Sequence, residues 1–249
     1  MTRLKRHPES RSAIFKISLS LAALAIILVG ISVWLVFFTA VFRIERVVVR
    51  GNRYLDEATV LAGSGVGSYE NLVTLPAEKI SRKLEAEPWV ESARIRRVFF
   101  HTVVIELTER DPVALLDCNG AGFLLDRNAV AIAGAGLESL PSLPRIHGGD
   151  ISTPRPGIRV GDRKVSECVR ILGGMAPSLR GEISMANPFD GRGQVFVARD
   201  GFQVIYGSAE ESSRKNELLE AVMVDMRENG RSAEYVDLRV PDSPATKLK

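Results

Sequence analysis

The chain of 249 residues carries 33 lysine and arginine residues against 30 aspartate and glutamate residues, a formal net charge of +3 at pH 7. Five basic residues and one acidic residue lie within residues 1–16, so the rest of the chain is close to neutral. A nucleic-acid-binding protein would need a clustered basic face, so this class is not favoured. The basic tail is better suited to a membrane topology and to anionic lipid headgroups.

An uncharged segment, residues 17–42, is predicted to be a transmembrane helix, because about 20 apolar residues are enough to cross a bilayer. Aromatic residues, among them Trp34 and Phe42, cluster at its downstream end, as in an interfacial aromatic belt. A cleaved signal peptide is the alternative, but its apolar core would be about 7–15 residues long and end at a small-residue cleavage site. The sequence therefore predicts a tail (1–16), an uncleaved anchor (17–42) and a large water-soluble body.

Residues 44–109 show the patterns of three strands and two helices in the order β-α-α-β-β. β-branched residues predict a strand over 44–49, and alternation of apolar and polar residues predicts strands over 89–98 and 102–109. Asp56 is the expected N-cap of a first helix that Gly63 stops, and Gly63 to Gly67 reads as a flexible loop. Pro76 fits the first turn of the second helix. The predicted core comprises Val47, Ile80, Leu84, Ile95 and Ile105.

Shorter strands are predicted after Asp111-Pro112, where the pattern changes. Arg199-Asp200-Gly201 between two apolar runs is typical of a hairpin. Residues 140–161 are rich in proline and glycine and are predicted to be a loop of unknown role. The predicted strands are 114–117, 122–125, 129–133, 194–198, 202–206 and 233–240, and the predicted helices are 165–175 and 213–228.

Several short motifs occur in a fixed order along the body. They are Val47–Asn52 (VVVRGN), Glu87–Val90 (EPWV), Ala93–Arg97, Glu109–Ala114 (ERDPVA), Leu143-Pro144 and Tyr235–Arg239 (YVDLR). This set resembles the bacterial cell-division protein FtsQ (DivIB) family over essentially residues 44–239. Two departures are the Phe100-His101 pair, where the family usually has a proline before the next strand, and Val240-Pro241-Asp242 after the last motif.

The resemblance implies an α+β fold, in which a single-pass membrane protein carries a POTRA domain and a C-terminal mixed β domain with flanking helices. The expected domains are a cytoplasmic tail (1–16), a transmembrane helix (17–42), a POTRA domain (43–112), a β domain (113–240) and a flexible C-terminal tail (241–249). The resemblance further implies a type II protein of the inner membrane, with its body in the periplasm and concentrated at the division septum. Basic residues flank both ends of the anchor, so charge alone favours this orientation only slightly.

The resemblance also implies a scaffold function in the divisome. In that family the last strands and the penultimate helix dock the small division proteins FtsB and FtsL, and FtsK, FtsW and FtsI are further candidate partners. The site residues carried over are Tyr235, Leu238, Arg239, Val240 and, more weakly, Arg199. From the residues alone, two readings of the strand 235–240 stay open: an ordinary core strand, or an edge strand that accepts a partner strand by β-augmentation.

A membrane-anchored envelope enzyme with a POTRA-like docking module is the alternative function. The sequence contains no set of residues typical of a catalytic site, so no catalytic residue, cofactor, metal ion or small-molecule substrate is predicted. The residues that resemble a catalytic or metal site are dispersed histidines, an S-x-x-K match without its companion motifs, a glycine-rich loop and an aspartate pair, at His7, His101, His147, Ser212, Lys215, Gly63, Gly65, Gly67, Asp117 and Asp126. Cys118 and Cys168 are 50 residues apart, and either a disulfide or two separate buried thiols fits their positions.

Overall fold

The computed structural model describes residues 9–38, 42–69, 71–98, 101–137, 142–147 and 151–248. Parts of the predicted tail, anchor, hairpin and 140–161 loop therefore lie outside the described residues, among them His7 and Phe100. The chain divides into two compact units. The first comprises Met1–Asn52, Asp56–Lys83 and Ala93–Leu107, and the second comprises Arg53–Leu55, Leu84–Ser92 and Thr108–Lys249.

The first helix, α1 (Glu9–Phe38), contains the apolar segment of the sequence. Its stretch Ser18–Leu35 is long and apolar enough to cross a membrane, and none of that stretch is buried against the rest of the protein. It is thus unlike the core helix of a soluble domain and fits a single-pass anchor. The helix begins at Glu9, so the second half of the predicted tail is helical.

The elements that follow have the predicted order β-α-α-β-β. They are β1 (Arg46–Arg50), α2 (Glu57–Ser64), α3 (Ala77–Glu85), β2 (Val90–Val98) and β3 (Thr102–Glu109). The three strands form a sheet in the order β1-β3-β2, and β1 runs parallel to β3. The central strand β3 buries Val103, Ile105 and Leu107, as its alternation predicts. Val47 and Ile95 are only half-buried, because β1 and β2 are the edge strands of this sheet.

Helix α2 begins as predicted but ends later. The Asp56 carboxylate accepts a hydrogen bond from the Thr59 backbone N–H at 3.2 Å, which makes Asp56 the N-cap. The helix passes through Gly63 and ends at Ser64, followed by the C-cap Gly65, whose φ of 66° is left-handed and whose N–H donates to the Leu61 carbonyl. A 3-10 turn, Val66–Ser68, follows, so the loop predicted at 63–67 is wrong.

The remaining elements build a mixed nine-stranded sheet and the helices packed on it. The strands are β4 (Pro112–Cys118), β5 (Ala121–Asp126), β6 (Ala131–Ala135), β7 (Arg145–His147), β8 (Ile183–Asn187), β9 (Gln194–Ala198), β10 (Gln203–Gly207), β11 (Ala233–Asp237) and β12 (Ala245–Leu248). The helices are α4 (Arg163–Gly174), α5 (Pro177–Gly181) and α6 (Ser212–Glu228). The sheet order is β12-β11-β10-β9-β8-β7-β4-β5-β6. One hydrophobic cluster joins the strands to Val169 and Leu172 of α4 and to Leu219 of α6.

Besides the C-terminal strand β12, the described residues contain three elements that the sequence does not predict. Strand β7 lies inside the predicted 140–161 loop, yet it pairs in parallel with both β4 and β8 at the middle of the sheet. Its Ile146 is fully buried. Three residues are too few to show a periodic pattern, so this strand is recognisable only by its neighbours. The helix α5 and the strand β8 are the other two.

The C-terminal segment differs most from the prediction. Strand β11 ends at Asp237, three residues before the predicted end at Val240. A turn follows, in which the Ser243 N–H donates to the Val240 carbonyl at 3.0 Å. The chain then returns as β12, antiparallel to β11. The predicted flexible tail, 241–249, is therefore corrected: its residues 245–248 form a strand of the sheet.

Candidate functional site at the β12 edge

Strand β12 is one end of the nine-stranded sheet, and β6 is the other. In the part of the chain that the structure describes, β12 pairs with β11 alone, through Tyr235↔Lys247, Val236↔Thr246 and Asp237↔Ala245. All four of its side chains are exposed. An edge strand presents a row of N–H and C=O groups to which another strand can bind. This edge, which we call the β12 edge (residues 245–248), can therefore accept a partner strand.

Strand β11 has neighbours on both sides. It pairs in parallel with β10, through Gln203↔Tyr235 and Val204↔Val236, and antiparallel with β12. The hypothesis that 235–240 is an exposed acceptor edge is therefore wrong, since β12 occupies that position.

The predicted site residues have different environments. Leu238 is fully buried, and its N–H donates to the Ile205 carbonyl at 2.9 Å, so it belongs to the core and is not available to a partner. Tyr235 is half-buried. Val240 is 59% exposed, and it lies in the turn that leads to the β12 edge.

Arg239 is held by its neighbour Asp237. Its Nη2 lies 2.7 Å from Asp237 Oδ2, and its backbone N–H donates to Asp237 Oδ1 at 3.0 Å. The side chain passes over Gly207, where an added Cβ would lie 2.9 Å from Arg239 Cγ. The hydrogen bond from Arg239 lowers the pKa of the Asp237 carboxyl. Arg239 thus fixes the backbone just before the turn, and half of its side chain stays exposed.

This pairing makes a pH-dependent prediction for Arg239→Gln. The folded-state pKa of Asp237 is lowered, so the stabilisation from the pair is present above the unfolded-state pKa and is lost as the pH falls through the folded-state pKa. In the variant we expect the pKa of Asp237 to rise, measured by NMR titration of its carboxyl carbon. The charge-matched variant Arg82→Gln, on α3, should leave that pKa unchanged. An unchanged pKa in Arg239→Gln would show that the pair does not form in solution.

Arg199 occupies a different part of the sheet. It lies in the turn between β9 and β10, where its N–H donates to the Glu182 carbonyl at 2.9 Å and its guanidinium contacts the Gly181 carbonyl. This turn precedes the Gln203 end of β10, whereas Arg239 lies over Gly207 at the other end. The structure therefore does not bring Arg199 and Arg239 together, and Arg199 fixes the hairpin to the end of α5.

The residues that the sequence reading missed are those of β12 itself. Lys247 Nζ lies 2.5 Å from Glu234 Oε2 across the strand pair, and Arg214 of α6 lies 2.5 Å from Asp242 in the preceding turn. Both pairs are exposed, so they link the returning segment to β11 and α6 but contribute little stability. The sequence signal for the reversal of the chain is the turn Pro241-Asp242-Ser243-Pro244.

Lys215 and Ser212, the S-x-x-K pair, make hydrogen bonds that stabilise the fold. Lys215 is buried, and its Nζ donates to the Tyr206 and Ser208 carbonyls at 3.1 and 3.0 Å; burial lowers its pKa. The Ser212 hydroxyl donates to the Ala209 carbonyl. Both cysteines are buried thiols, and burial raises the pKa of each. Among the described residues, no three His, Cys, Asp or Glu side chains gather as metal ligands would.

The two aspartates of the proposed pair serve separate turns. Asp117 accepts a hydrogen bond from the Gly120 N–H at 2.9 Å, which fixes the turn between β4 and β5. Asp126 lies at the end of β5, where its Oδ2 is 2.6 Å from Arg110 Nη1 and its Oδ1 accepts from the Asn128 and Val130 N–H groups. Each carboxylate has a structural role in the turn beside it.

The ERDP motif, Glu109 to Pro112, has one role for each of its polar side chains. Glu109 accepts hydrogen bonds from three consecutive N–H groups, those of residues 53–55, at 2.6 to 2.9 Å. Asp111 accepts a hydrogen bond from the Tyr54 hydroxyl at 3.2 Å, and Arg110 binds Asp126. Three adjacent residues thus make three different sets of hydrogen bonds within the second unit.

Two protein-family models together match nearly all of the chain that follows the apolar helix. Residues 42–110 match the model of the POTRA domain, FtsQ-type, and residues 114–239 match the model of the cell division protein FtsQ/DivIB, C-terminal. The cell division protein FtsQ of Streptomyces collinus is 28% identical over 233 residues, covering 91% of this chain and 86% of the relative. That of Mycobacterium tuberculosis is 23% identical over 241 residues, covering 96% and 72%.

Another relative matches a shorter part of the chain with a higher sequence identity. The cell division protein FtsQ of Syntrophotalea carbinolica is 35% identical over 82 residues, covering 33% of this chain and 29% of the relative. Among solved structures, the major extracytoplasmic domain of the trans isomer of the division protein DivIB from Geobacillus stearothermophilus is 16% identical, with a TM-score of 0.34, covering 47% of this chain and 97% of that one. The two matched domains and the apolar helix α1 place this chain in the FtsQ/DivIB family of bacterial cell-division proteins.

Proposed function

We propose that the chain is a non-enzymatic scaffold of the divisome, which recruits membrane division proteins of the FtsB and FtsL type and links them to septal wall synthesis. Membership of the FtsQ/DivIB family supports a role in division. Support for the specific partners comes from the resemblance, whose last motif, Tyr235–Arg239, includes the end of β11. FtsK, FtsW and FtsI are further candidates for the same assembly.

The observation that carries this proposal is the β12 edge. A partner strand would add to the sheet beyond β12, where main-chain hydrogen bonds supply affinity and alternate side chains supply selectivity. The site is therefore proposed at 245–248 rather than at 235–240. Exposed Val240 would add an apolar contact beside it, and Arg239 would position the turn. Tyr235, Leu238 and Arg199 would act by supporting the sheet.

The proposed location is the inner membrane, with the body in the periplasm and enriched at the septum. Helix α1 fits a single-pass anchor, and its basic N-terminal flank fits the cytoplasmic face, where it would contact anionic lipid. We propose the domain limits 43–112 and 113–240 for the two folded parts, with the C-terminal strand 245–248 added to the second.

A fluorescent fusion of the full chain tests the scaffold function. We expect the fusion to concentrate at midcell in dividing cells. A separate fusion tests the orientation: a reporter that is active only outside the cytoplasm should be active when it is fused after Lys249. The matched control is a fusion of α1 with the tail alone, which should label the whole membrane. Uniform labelling by the full chain would favour the envelope-enzyme alternative and contradict the scaffold proposal.

A further inference from the structure

A cavity of about 320 Å³ in the second unit is lined mainly by basic side chains. Its arginines come from three separate segments: the turn between β5 and β6, the segment before α4, and α4 itself. They are Arg127, Arg159, Arg163 and Arg170, and Asn128, Ser166 and Glu167 complete the wall. No motif in the sequence brings these residues together, so the cluster is a product of the fold.

The backbone around this cavity is fixed by hydrogen bonds. Segment 158–160 lies along 129–131, with the Ala131 N–H donating to the Ile158 carbonyl at 3.0 Å and the Val160 N–H donating to the Ala129 carbonyl at 2.8 Å. Arg163 and Arg170 are seven residues apart, two turns of α4, so they lie on one face of the helix. The four side chains therefore start from ordered positions.

The turn that carries Arg127 packs closely on α4. A Cβ added at Gly173, three residues after Arg170, would lie 2.9 Å from Arg127 Cβ. A larger residue at this position would separate the turn from the helix. Because residue 173 is glycine, Arg127 can lie close to the face of α4 that carries the other basic groups.

The charges in the cavity are not balanced by the protein. Glu167 is the one carboxylate among the lining residues, and its Oε1 already accepts a hydrogen bond from the Ala209 N–H at 2.9 Å. None of the four arginine side chains makes an ion pair or hydrogen bond with any residue that the structure describes. Other arginines of the same unit, such as Arg110, Arg192 and Arg239, are each paired with an aspartate. Like charges that line one pocket repel one another, so an anion bound among them would relieve this repulsion.

We propose that this cavity binds a phosphate or diphosphate group. The planar guanidinium group presents a fork of N–H donors that matches the oxygens of a phosphate, and arginines remain charged at every physiological pH. Four guanidinium groups around one half-open pocket suit a compact ion of several negative charges better than an extended acidic peptide. A free diphosphate and the headgroup of a phosphorylated lipid share this chemistry.

Calorimetric titration of the full chain in phosphatidylcholine nanodiscs tests the proposal, with inorganic pyrophosphate as the probe at constant ionic strength. We expect saturable binding, weakened about tenfold or more in the double variant Arg159→Gln/Arg163→Gln, because hydrogen bonds to charged groups are lost. The control is Arg82→Gln/Arg94→Gln, which removes the same charge elsewhere and should bind as the unaltered chain does. Both arginine pairs are exposed, so equal melting temperatures would verify that each variant is folded.

A water-soluble short-chain phosphatidic acid distinguishes the two sources. Tighter binding of this lipid than of pyrophosphate would identify a lipid headgroup, and weaker binding would identify a free diphosphate; both support a phosphate site if the Arg159/Arg163 variant loses them. The proposal fails if neither probe binds saturably, if both double variants weaken binding equally, or if a glutamate-rich peptide binds and the phosphate probes do not.

Discussion

Replacing Asp126 with alanine should lower the free energy of unfolding by about 3–5 kcal/mol, because it leaves the guanidinium of Arg110 in a largely buried position without its carboxylate. Asp126 is 2% exposed, and its Oδ2 lies 2.6 Å from Arg110 Nη1. The substitution also removes the acceptor for the N–H groups of Asn128 and Val130. Urea unfolding of the full chain, followed by circular dichroism, would measure the loss.

A second variant separates the buried charge from the turn. In Arg110→Ala/Asp126→Ala no charge stays buried, so part of the loss should be recovered, while the turn still lacks its acceptor. The surface pair Glu78–Arg82 is the matched control, since both side chains are exposed and Glu78→Ala should cost only a few tenths of a kcal/mol. Equal losses for Asp126→Ala and Glu78→Ala would mean that the Arg110–Asp126 pair is solvated.

Ile105→Ala should destabilise the three-stranded sheet by about 2–5 kcal/mol. Ile105 is fully buried in β3, the central strand, and pairs with Val49 of β1. Truncating it leaves a cavity at a site that backbone pairing with both neighbouring strands holds in place, so the cavity cannot easily collapse. The loss would be measured by urea unfolding with a fluorescence probe.

Val98→Ala provides the comparison for this variant. Val98 ends the edge strand β2 and is 44% exposed, so truncation should change the free energy of unfolding by no more than about 0.5 kcal/mol. Comparable losses at Ile105 and Val98 would show that the assignment of the inward face of β3 is incorrect.

The sequence predicted best the elements whose local signals agree with their packing. The sequence of strand β3 alternates at Val103, Ile105 and Leu107, which are all buried, and its predicted bounds, Thr102–Glu109, are those observed. Asp56 carries the N-cap chemistry of α2 in its own side chain. Both signals lie within a few residues, so no knowledge of distant partners was needed.

Strands β7 and β12 were missed for a different reason. Each has three or four residues, and each is a strand because of its neighbours: β4 and β8 for the first, β11 for the second. Backbone hydrogen bonds between distant segments carry no local signature in so short a stretch. The error at β12 had a consequence for the site, because it left β11 as the apparent edge of the sheet.

The candidate site was predictable in part. Alternation placed Val236 and Leu238 on one face, but only the structure shows that this face is the core, where both side chains are fully buried. Val240 would follow them in a continuous strand, yet the turn after Arg239 turns its side chain to solvent. The location of the site near the C-terminal strands was thus inferred from the resemblance, and the strand that forms the edge was not.

Site-specific photo-crosslinking in dividing cells tests the β12 edge most directly. A photoreactive amino acid would be placed at Thr246 or Lys247 in β12, and at Gly134 in β6 as the control at the other edge of the same sheet. All three positions are exposed, so none of these substitutions disturbs the buried core. The scaffold proposal predicts a crosslink to a protein of the FtsB type from β12 and none from β6. Crosslinking from β6 alone, or equally from both edges, would contradict a docking site at the β12 edge.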